Sequence, residues 1–164
     1  MLPVKHYVDI HCKPYVAHYL SVKYGNGETA ISLPKRSMLK TIIHSCLCTK
    51  FYPSEHYQKK GFPSVIRLQV TGHEITKFGH TINISNHYYI NSLIEEKLKI
   101  EMAVMISSYR QNGLSWSAAI RTYQEELGYT DEVFDYKAIE RSYERFLTDA
   151  KNIFSKTVGK QNLA

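Results

Sequence analysis

Apolar and polar residues alternate in two short segments of the N-terminal half. In residues 4–11, Val8 and Ile10 fall on one side of the alternation, and Asp9 and His11 fall on the other. Residues 64–70 repeat the pattern, with apolar side chains at every second position. Because successive side chains of a strand point to opposite faces of the sheet, both segments are predicted to be β-strands.

Two helices are predicted between these strands. Pro14 suits the first position of a helix, and the Gly-Asn-Gly turn at 25–27 ends that helix after Tyr24. Ser37 is typical of an N-cap and predicts a second helix through residue 47. A short strand at 29–33 is predicted between the two helices.

The remainder of the N-terminal half contains several turn residues. Residues 52–63 hold two prolines, a glycine and paired lysines, which predicts an exposed loop. The segments 74–78 and 81–84 are predicted as further short strands on either side of Gly79. The first half is therefore expected to be an α+β region, with a small mixed sheet and two helices.

The second half has helical periodicity throughout. Residues 86–112 carry apolar side chains at steps of three and four, and Gly113 is a natural stop. Ser115 is expected to cap a helix over 116–127, and Asp135 is expected to cap a third helix. Helices with short connections pack on one another. The predicted fold class is α+β, ending in a three-helix bundle.

Charge and composition change at nearly the same place as the predicted structure. Residues 1–90 hold all eight histidines, all three cysteines, and eleven Lys or Arg against four Asp or Glu. Residues 91–164 hold ten basic and eleven acidic residues. We therefore predict a basic α+β region at 1–90 and a three-helix region at 91–164. Clustered positive charge attracts polyanions, which makes nucleic acid the leading candidate partner.

The third predicted helix carries a stripe of basic residues. Lys137, Arg141 and Arg145 are four residues apart and share one helix face, where like charges repel one another. Contact with nucleic-acid phosphates is one reason to keep such a stripe. The alternative is that Glu140 and Glu144 neutralise it along a solvated helix.

The segment around this stripe resembles a helix-turn-helix motif, over residues 113–148. The small residues Ala118 and Ala119 would let the next helix cross closely. The connection over 129–134 is longer than that motif normally has. Tyr136 or Ser142 would be the side chains to reach base edges.

A second set of basic residues lies in the N-terminal half, close to aromatic residues such as Tyr52 and Tyr57. Interleaved basic and aromatic residues suit a nucleic-acid backbone with stacked bases, whereas solubilising loop charge is the alternative. The residues predicted to bind nucleic acid are Lys35, Arg36, Lys40, Lys59 and Lys60, together with Lys137, Arg141 and Arg145 of the third helix.

Metal binding and catalysis receive little support. His44, Cys46 and Cys48 could bind zinc with His11 and Cys12, but on a helix position 46 points away from 44 and 48. Asp9 and His11 share a strand face, an arrangement that a metal-dependent nuclease could use but that is common by chance. Phosphate-loop, nucleophile-elbow and zinc-protease motifs are all missing from the sequence. No metal, cofactor or enzymatic activity is predicted.

The predicted function is non-catalytic binding of nucleic acid, with double-stranded DNA preferred and a homodimer as one option. The alternative is a structural or assembly protein that forms homo-oligomers through its Tyr-rich and apolar helical surfaces. The N-terminus lacks the apolar core of a signal peptide, and no apolar run is long enough to cross a membrane. A cytoplasmic protein without a membrane partner is therefore expected.

Overall fold

A computed structural model of the chain describes residues 5–25, 30–58 and 60–161. The strands are β1 (His6–Cys12), β2 (Ala30–Ile31), β3 (Leu47–Cys48), β4 (Ser64–Val70) and β5 (Thr81–Ile82). The helices are α1 (Pro14–Tyr24), α2 (Met38–Cys46), α3 (Ser54–Gln58), α4 (Gly72–Phe78), α5 (Ile84–Gln111), α6 (Trp116–Glu126) and α7 (Tyr136–Gln161). The chain divides into two compact units, residues 1–95 and 96–164, and the boundary along the chain falls within α5. The predicted α+β class with a helical C-terminal half is confirmed.

The first unit is organised around β4, the central strand of a three-stranded mixed sheet. β1 pairs with β4 antiparallel, with Val8 opposite Leu68, and β2 pairs with β4 in parallel, with Ile31 opposite Leu68. These three side chains are fully or almost fully buried. Helix α1 contacts the sheet and buries Val16 and Leu20. The alternation that predicted β1 and β4 matches core and surface over most of both strands, but His11 is buried, whereas Asp9, predicted to share its face, is exposed.

The prediction of a strand at 74–78 is wrong, because this segment lies in helix α4. Thr71 accepts a hydrogen bond from the backbone N–H of Glu74 (3.2 Å). The carboxylate of Glu74 accepts one in return from the N–H of Thr71 (2.7 Å). This reciprocal capping box satisfies two backbone donors that a helix start otherwise leaves unpaired. The Thr-x-x-Glu spacing that specifies it is present in the sequence.

A close backbone approach follows α4. The N–H of His80 donates to the carbonyl of Cys48 (3.0 Å), next to the antiparallel pair β3–β5. Gly79 has a φ of +103°, and a β-carbon placed there would lie 2.4 Å from the Cys48 carbonyl carbon. Only glycine fits this position without moving the backbone. The short strand predicted at 81–84 corresponds to β5.

The prediction that residues 52–63 form an exposed loop is wrong in part. The segment contains α3, and the side chains of Tyr57 and Phe62 are buried. The Tyr57 hydroxyl donates to the backbone carbonyl of Ile82 (2.6 Å), which attaches the segment to β5. Burial of these two aromatic rings stabilises the segment. It offsets the cost of ordering a segment that is rich in turn-forming residues.

The second unit consists of the end of α5 together with α6 and α7. Ser115 caps α6 by accepting from the N–H of Ala118 (3.3 Å), and Asp135 caps α7 by accepting from that of Ala138 (2.7 Å). Both predicted caps are confirmed. The core contains apolar side chains of all three helices, among them Met102, Ile106, Ile120, Tyr123, Ile139 and Tyr143. None of the described helices combines the length and the apolar character needed to cross a bilayer.

Candidate nucleic-acid interface

Helix α7 presents its basic stripe to solvent. Lys137, Arg141 and Arg145 are all exposed, and the side chain of Lys137 is 77% accessible. The Nε of Arg141 donates to the Lys137 carbonyl (3.1 Å), which orients its guanidinium along the helix. Among the described residues, no carboxylate forms an ion pair with Arg141 or Arg145. Two guanidinium charges on one face are therefore free of an acidic partner within the part of the chain that the structure describes.

Glu140 neutralises only the first charge of this stripe. Its carboxylate accepts hydrogen bonds from the Trp116 indole (3.2 Å) and the Tyr136 hydroxyl (3.4 Å), and it pairs with Lys137 (3.4 Å). Desolvation opposes its charge, but the hydrogen bonds from Trp116 and Lys137 outweigh this and hold the pKa of Glu140 below its ordinary value. Neutralisation, the alternative interpretation of the stripe, thus applies to Lys137.

Helix α6 adds a basic residue that the sequence did not reveal. The guanidinium of Arg121 lies 5.4 Å from the ring centre of Tyr136, at the start of α7, and the side chain is exposed. The contact joins two helices across a connection, so no spacing along the chain could indicate it. Tyr136 and Ser142, the candidates for contact with base edges, are both half-buried.

The long connection between α6 and α7 is fixed in place. The side-chain amide of Gln124 donates to the Asp131 carboxylate (2.8 Å) and to the Phe134 carbonyl (3.2 Å). Tyr129 and Phe134 are buried and their rings meet edge to face at 5.3 Å. A connection held by both hydrogen bonds and aromatic burial positions α7 firmly against α6, although residues 127–135 exceed the length usual in helix-turn-helix motifs.

In the first unit, Lys40 does not fit its predicted role. Its side chain is only 8% exposed, and its ammonium pairs with Glu74 at 2.8 Å, joining α2 to α4. Burial opposes the charge of Glu74, but the hydrogen bonds from Lys40 and Thr71 prevail and lower its pKa. We remove Lys40 from the candidate interface, because it is buried and its charge is already paired with Glu74.

The other predicted basic residues of this unit differ in how far the structure describes them. Lys35 and Arg36 are exposed in a turn before α2, whose first residue follows the N-cap Ser37. Lys60 is exposed, and its carbonyl accepts from the Tyr88 hydroxyl (3.1 Å). Lys59 lies outside the described residues. Three exposed cations of the predicted set thus remain in this unit.

A buried cluster of histidines and aromatic residues lies close to Lys60. The ring of His11 stacks on Tyr57 with centroids 4.1 Å apart, and His87 meets both rings edge-on. Burial lowers the pKa of His11, and it lowers that of His87 to about 4. Within the described residues, His11 Nδ1, both ring nitrogens of His87, and Asn91 Oδ1 have no hydrogen-bond partner. The cluster is therefore neutral at physiological pH.

Several of the residues considered for zinc and for catalysis take part in other contacts. Burial raises the pKa of the Cys12 thiol to about 12, and the His44 ring stacks on Phe78. Asp9 pairs with Arg67 (3.8 Å) on the exposed side of the sheet. In the part of the chain that the structure describes, no three His, Cys, Asp or Glu side chains are placed to share a metal ion.

No family model, curated protein or solved structure matches this chain. The class defined by the structure is an α+β protein with a helical C-terminal unit. The function of the protein is therefore inferred from its own residues, chiefly the exposed charges of α7.

Proposed function

We propose that this protein binds nucleic acid without catalysing a reaction, and that its preferred partner is double-stranded DNA. The supporting observation is the pair of exposed guanidinium groups of Arg141 and Arg145, which lack a carboxylate partner among the described residues. Arginine offers several N–H donors in a planar fork that matches phosphate geometry. Arg121 of α6 adds a further cation next to Tyr136, the first residue of the same helix.

The arrangement on α7 suits a rod-like polyanion. Four residues of helix advance about 6 Å, so Arg141 and Arg145 face the same stretch of a partner. An α-helix fits the major groove of B-DNA, where Tyr136 and Ser142 would be close to base edges. Phosphate contacts hold a protein in register but carry no sequence information. Exposed Lys35, Arg36 and Lys60 would add phosphate contacts from the first unit.

This proposal is tested by fluorescence anisotropy with a labelled duplex of random sequence at low salt. We expect wild type to bind, and the double variant Arg141→Ala/Arg145→Ala to bind roughly tenfold more weakly or worse, because two phosphate contacts are lost. The matched control is Lys97→Ala/Lys99→Ala, which removes two exposed charges of the same unit from α5.

Different results would reject the proposal or its location. Absence of binding by wild type at low salt would exclude the nucleic-acid function. Equal weakening by the arginine and lysine pairs would show that net charge, rather than the stripe on α7, drives binding. A circular dichroism spectrum for each variant checks that the helices are retained.

Assembly into homo-oligomers is a second candidate, supported by exposed apolar residues on α5. Ile100 and Val104 are 46% and 61% exposed and lie one turn apart. The tyrosines contribute less to an exposed assembly surface than the sequence suggested, because many of them are core residues: Tyr19, Tyr57, Tyr123, Tyr129 and Tyr143. An apolar assembly persists at high salt, whereas phosphate binding weakens. Sedimentation velocity of Ile100→Glu/Val104→Glu would show a loss of oligomer if this surface mediates assembly.

A further inference from the structure

A cleft belongs to the first unit, whereas the basic stripe of α7 belongs to the second. It has a volume of about 320 Å³ and is formed by the start of α1, the segment after α3 and the first half of α5. Its side chains are mainly polar or aromatic: Lys13, Lys60, Phe62, Tyr88, Asn91, Ser92 and Glu95. The volume is at the lower end of the range of about 300–1,000 Å³ that small-molecule sites occupy.

The cations and the aromatic surface of this cleft are accessible. Lys60 is exposed, and Lys13 pairs with Glu95 at 2.8 Å. The side chain of Tyr88 is 49% exposed, and its ring meets buried Phe62 edge to face at 4.8 Å. The hydroxyl of Tyr88 donates to the Lys60 carbonyl, which fixes the ring next to the cation.

Asn91 gives the cleft a rigid wall. It is 2% exposed, and its amide nitrogen donates to the backbone carbonyls of His11 and His87, both at 2.9 Å. These two hydrogen bonds hold the side chain in place, so this wall of the cleft is fixed before a ligand binds.

We propose that this cleft binds a nucleotide, either as a free molecule or as an unpaired residue of a strand. Lys60 would contact the phosphate, and the face of Tyr88 would stack on the base. Ser92 and the Glu95 carboxylate, which Lys13 holds at 2.8 Å, would receive the N–H donors of the base edge. This activity goes beyond duplex binding, because bases within a duplex are already paired and stacked.

The combination of groups distinguishes a nucleotide from a simple anion. Inorganic phosphate would use the lysines, but it would have no contact that needs an aromatic face. A heterocycle with both N–H donors and a phosphate matches the cations, the ring and the acceptors together.

The test is isothermal titration of the full chain with the four nucleoside monophosphates, inorganic phosphate and a short single-stranded oligonucleotide. We expect at least one monophosphate to bind more tightly than inorganic phosphate. Tyr88→Ala should weaken this binding about tenfold through loss of stacking. Tyr89→Ala is the matched control, since Tyr89 is 52% exposed on the same helix but does not line the cleft. Lys60→Ala, at an exposed position, should also weaken binding and does not depend on core packing.

A free nucleotide and an unpaired residue of a strand would give different results in this titration. Equal affinity for the monophosphate and the oligonucleotide supports a free nucleotide, and higher affinity for the oligonucleotide supports an unpaired residue of a strand. Absence of nucleotide binding, or binding unaffected by Tyr88→Ala and Lys60→Ala, would overturn the inference. Duplex binding measured on Tyr88→Ala should equal that of wild type, so failure of this inference is distinguishable from failure of the duplex-binding proposal.

Discussion

The two units use charge in opposite ways. Residues 1–95 carry eleven basic and five acidic residues, whereas residues 96–164 carry ten of each. Yet the first unit buries one of its cations, Lys40, in an ion pair with half-buried Glu74, while the neutral second unit aligns Arg141 and Arg145 on one exposed helix face. Net charge therefore indicates a class of partner, but the placement of each charge decides which residues can meet it.

The units also differ in what their interiors contain. The first unit buries His11, His87 and Asn91 beside aromatic rings, and all eight histidines of the chain lie within it. The second unit has no histidine, and its polar contacts include the hydroxyl pair Ser107–Tyr143 (2.8 Å). Mild acid should therefore act on the first unit and leave the second largely unchanged.

The largest predicted effect is acid destabilisation of the first unit. Burial lowers the pKa of His87 from 6.5 to about 4, so the unfolded chain binds its proton first as the pH falls. Stability is therefore lost below pH 6.5, by about 2 kcal/mol at pH 5 and about 3 kcal/mol at pH 4. The lowered pKa values of His11 and His44 act in the same direction. Hydrogen exchange at pH 7 and pH 5, resolved by segment, measures the difference between the units.

A histidine variant isolates the cause of this difference. His87→Phe keeps an aromatic ring and removes the titrating group, so its stability should fall less between pH 7 and pH 5 than that of wild type. Equal loss of protection in both units of wild type would contradict the comparison. The experiment stays above pH 4.5, because most protonation of carboxylates, which both units contain, occurs below that pH.

The next effect concerns the buried pair of Lys40 and Glu74. Glu74→Gln retains the capping box with Thr71 but leaves the Lys40 ammonium without a counter-charge, which should lower the free energy of unfolding by about 2 kcal/mol. The double variant Lys40→Met/Glu74→Gln should recover most of this loss, because both charges are gone. Urea unfolding measures both variants.

The same double variant also tests the removal of Lys40 from the interface. Its affinity for duplex DNA should match that of wild type, because the ammonium of Lys40 is held by Glu74. A large loss of affinity with normal stability would return Lys40 to the binding surface.

The smallest effect is expected at the cap of α7. Asp135→Ala should lower stability by about 1 kcal/mol, whereas Asp135→Asn should be nearly neutral, because asparagine caps equally well. Asp135→Asn also removes a negative charge next to Lys137, so it should bind duplex DNA slightly more tightly than wild type. Thermal unfolding and anisotropy together measure the two effects, and weaker binding by the Asn variant would oppose a role for this end of α7.

Local signals predicted much of the fold, and long-range contacts account for what they missed. The alternation of β4 and the caps Ser37, Ser115 and Asp135 act within a few residues, so the sequence displays them directly. The segment 74–78, predicted as a strand, is helical because the capping box of Thr71 and Glu74 begins a helix there. Pairing of Lys40 with Glu74 depends on how α2 meets α4, which no spacing along the chain specifies.

The candidate sites show the same difference between local signals and long-range contacts. The stripe of Lys137, Arg141 and Arg145 follows from helical periodicity alone, and the structure places all three on the exposed surface. Arg121 and the cleft beside Asn91 arise from contacts between elements. Histidines and aromatic residues were visible in the composition, but their stacking depends on tertiary packing of β1, α3 and α5.

The most direct test of the central claim is the salt dependence of duplex binding. The slope of log Kobs against log salt concentration counts the phosphates that a protein neutralises, at about 0.9 per contact. For Arg141→Ala/Arg145→Ala the slope should be shallower than for wild type by about 2, and for Lys97→Ala/Lys99→Ala it should be unchanged. Identical slopes for wild type and the arginine variant would contradict a duplex-binding surface on α7.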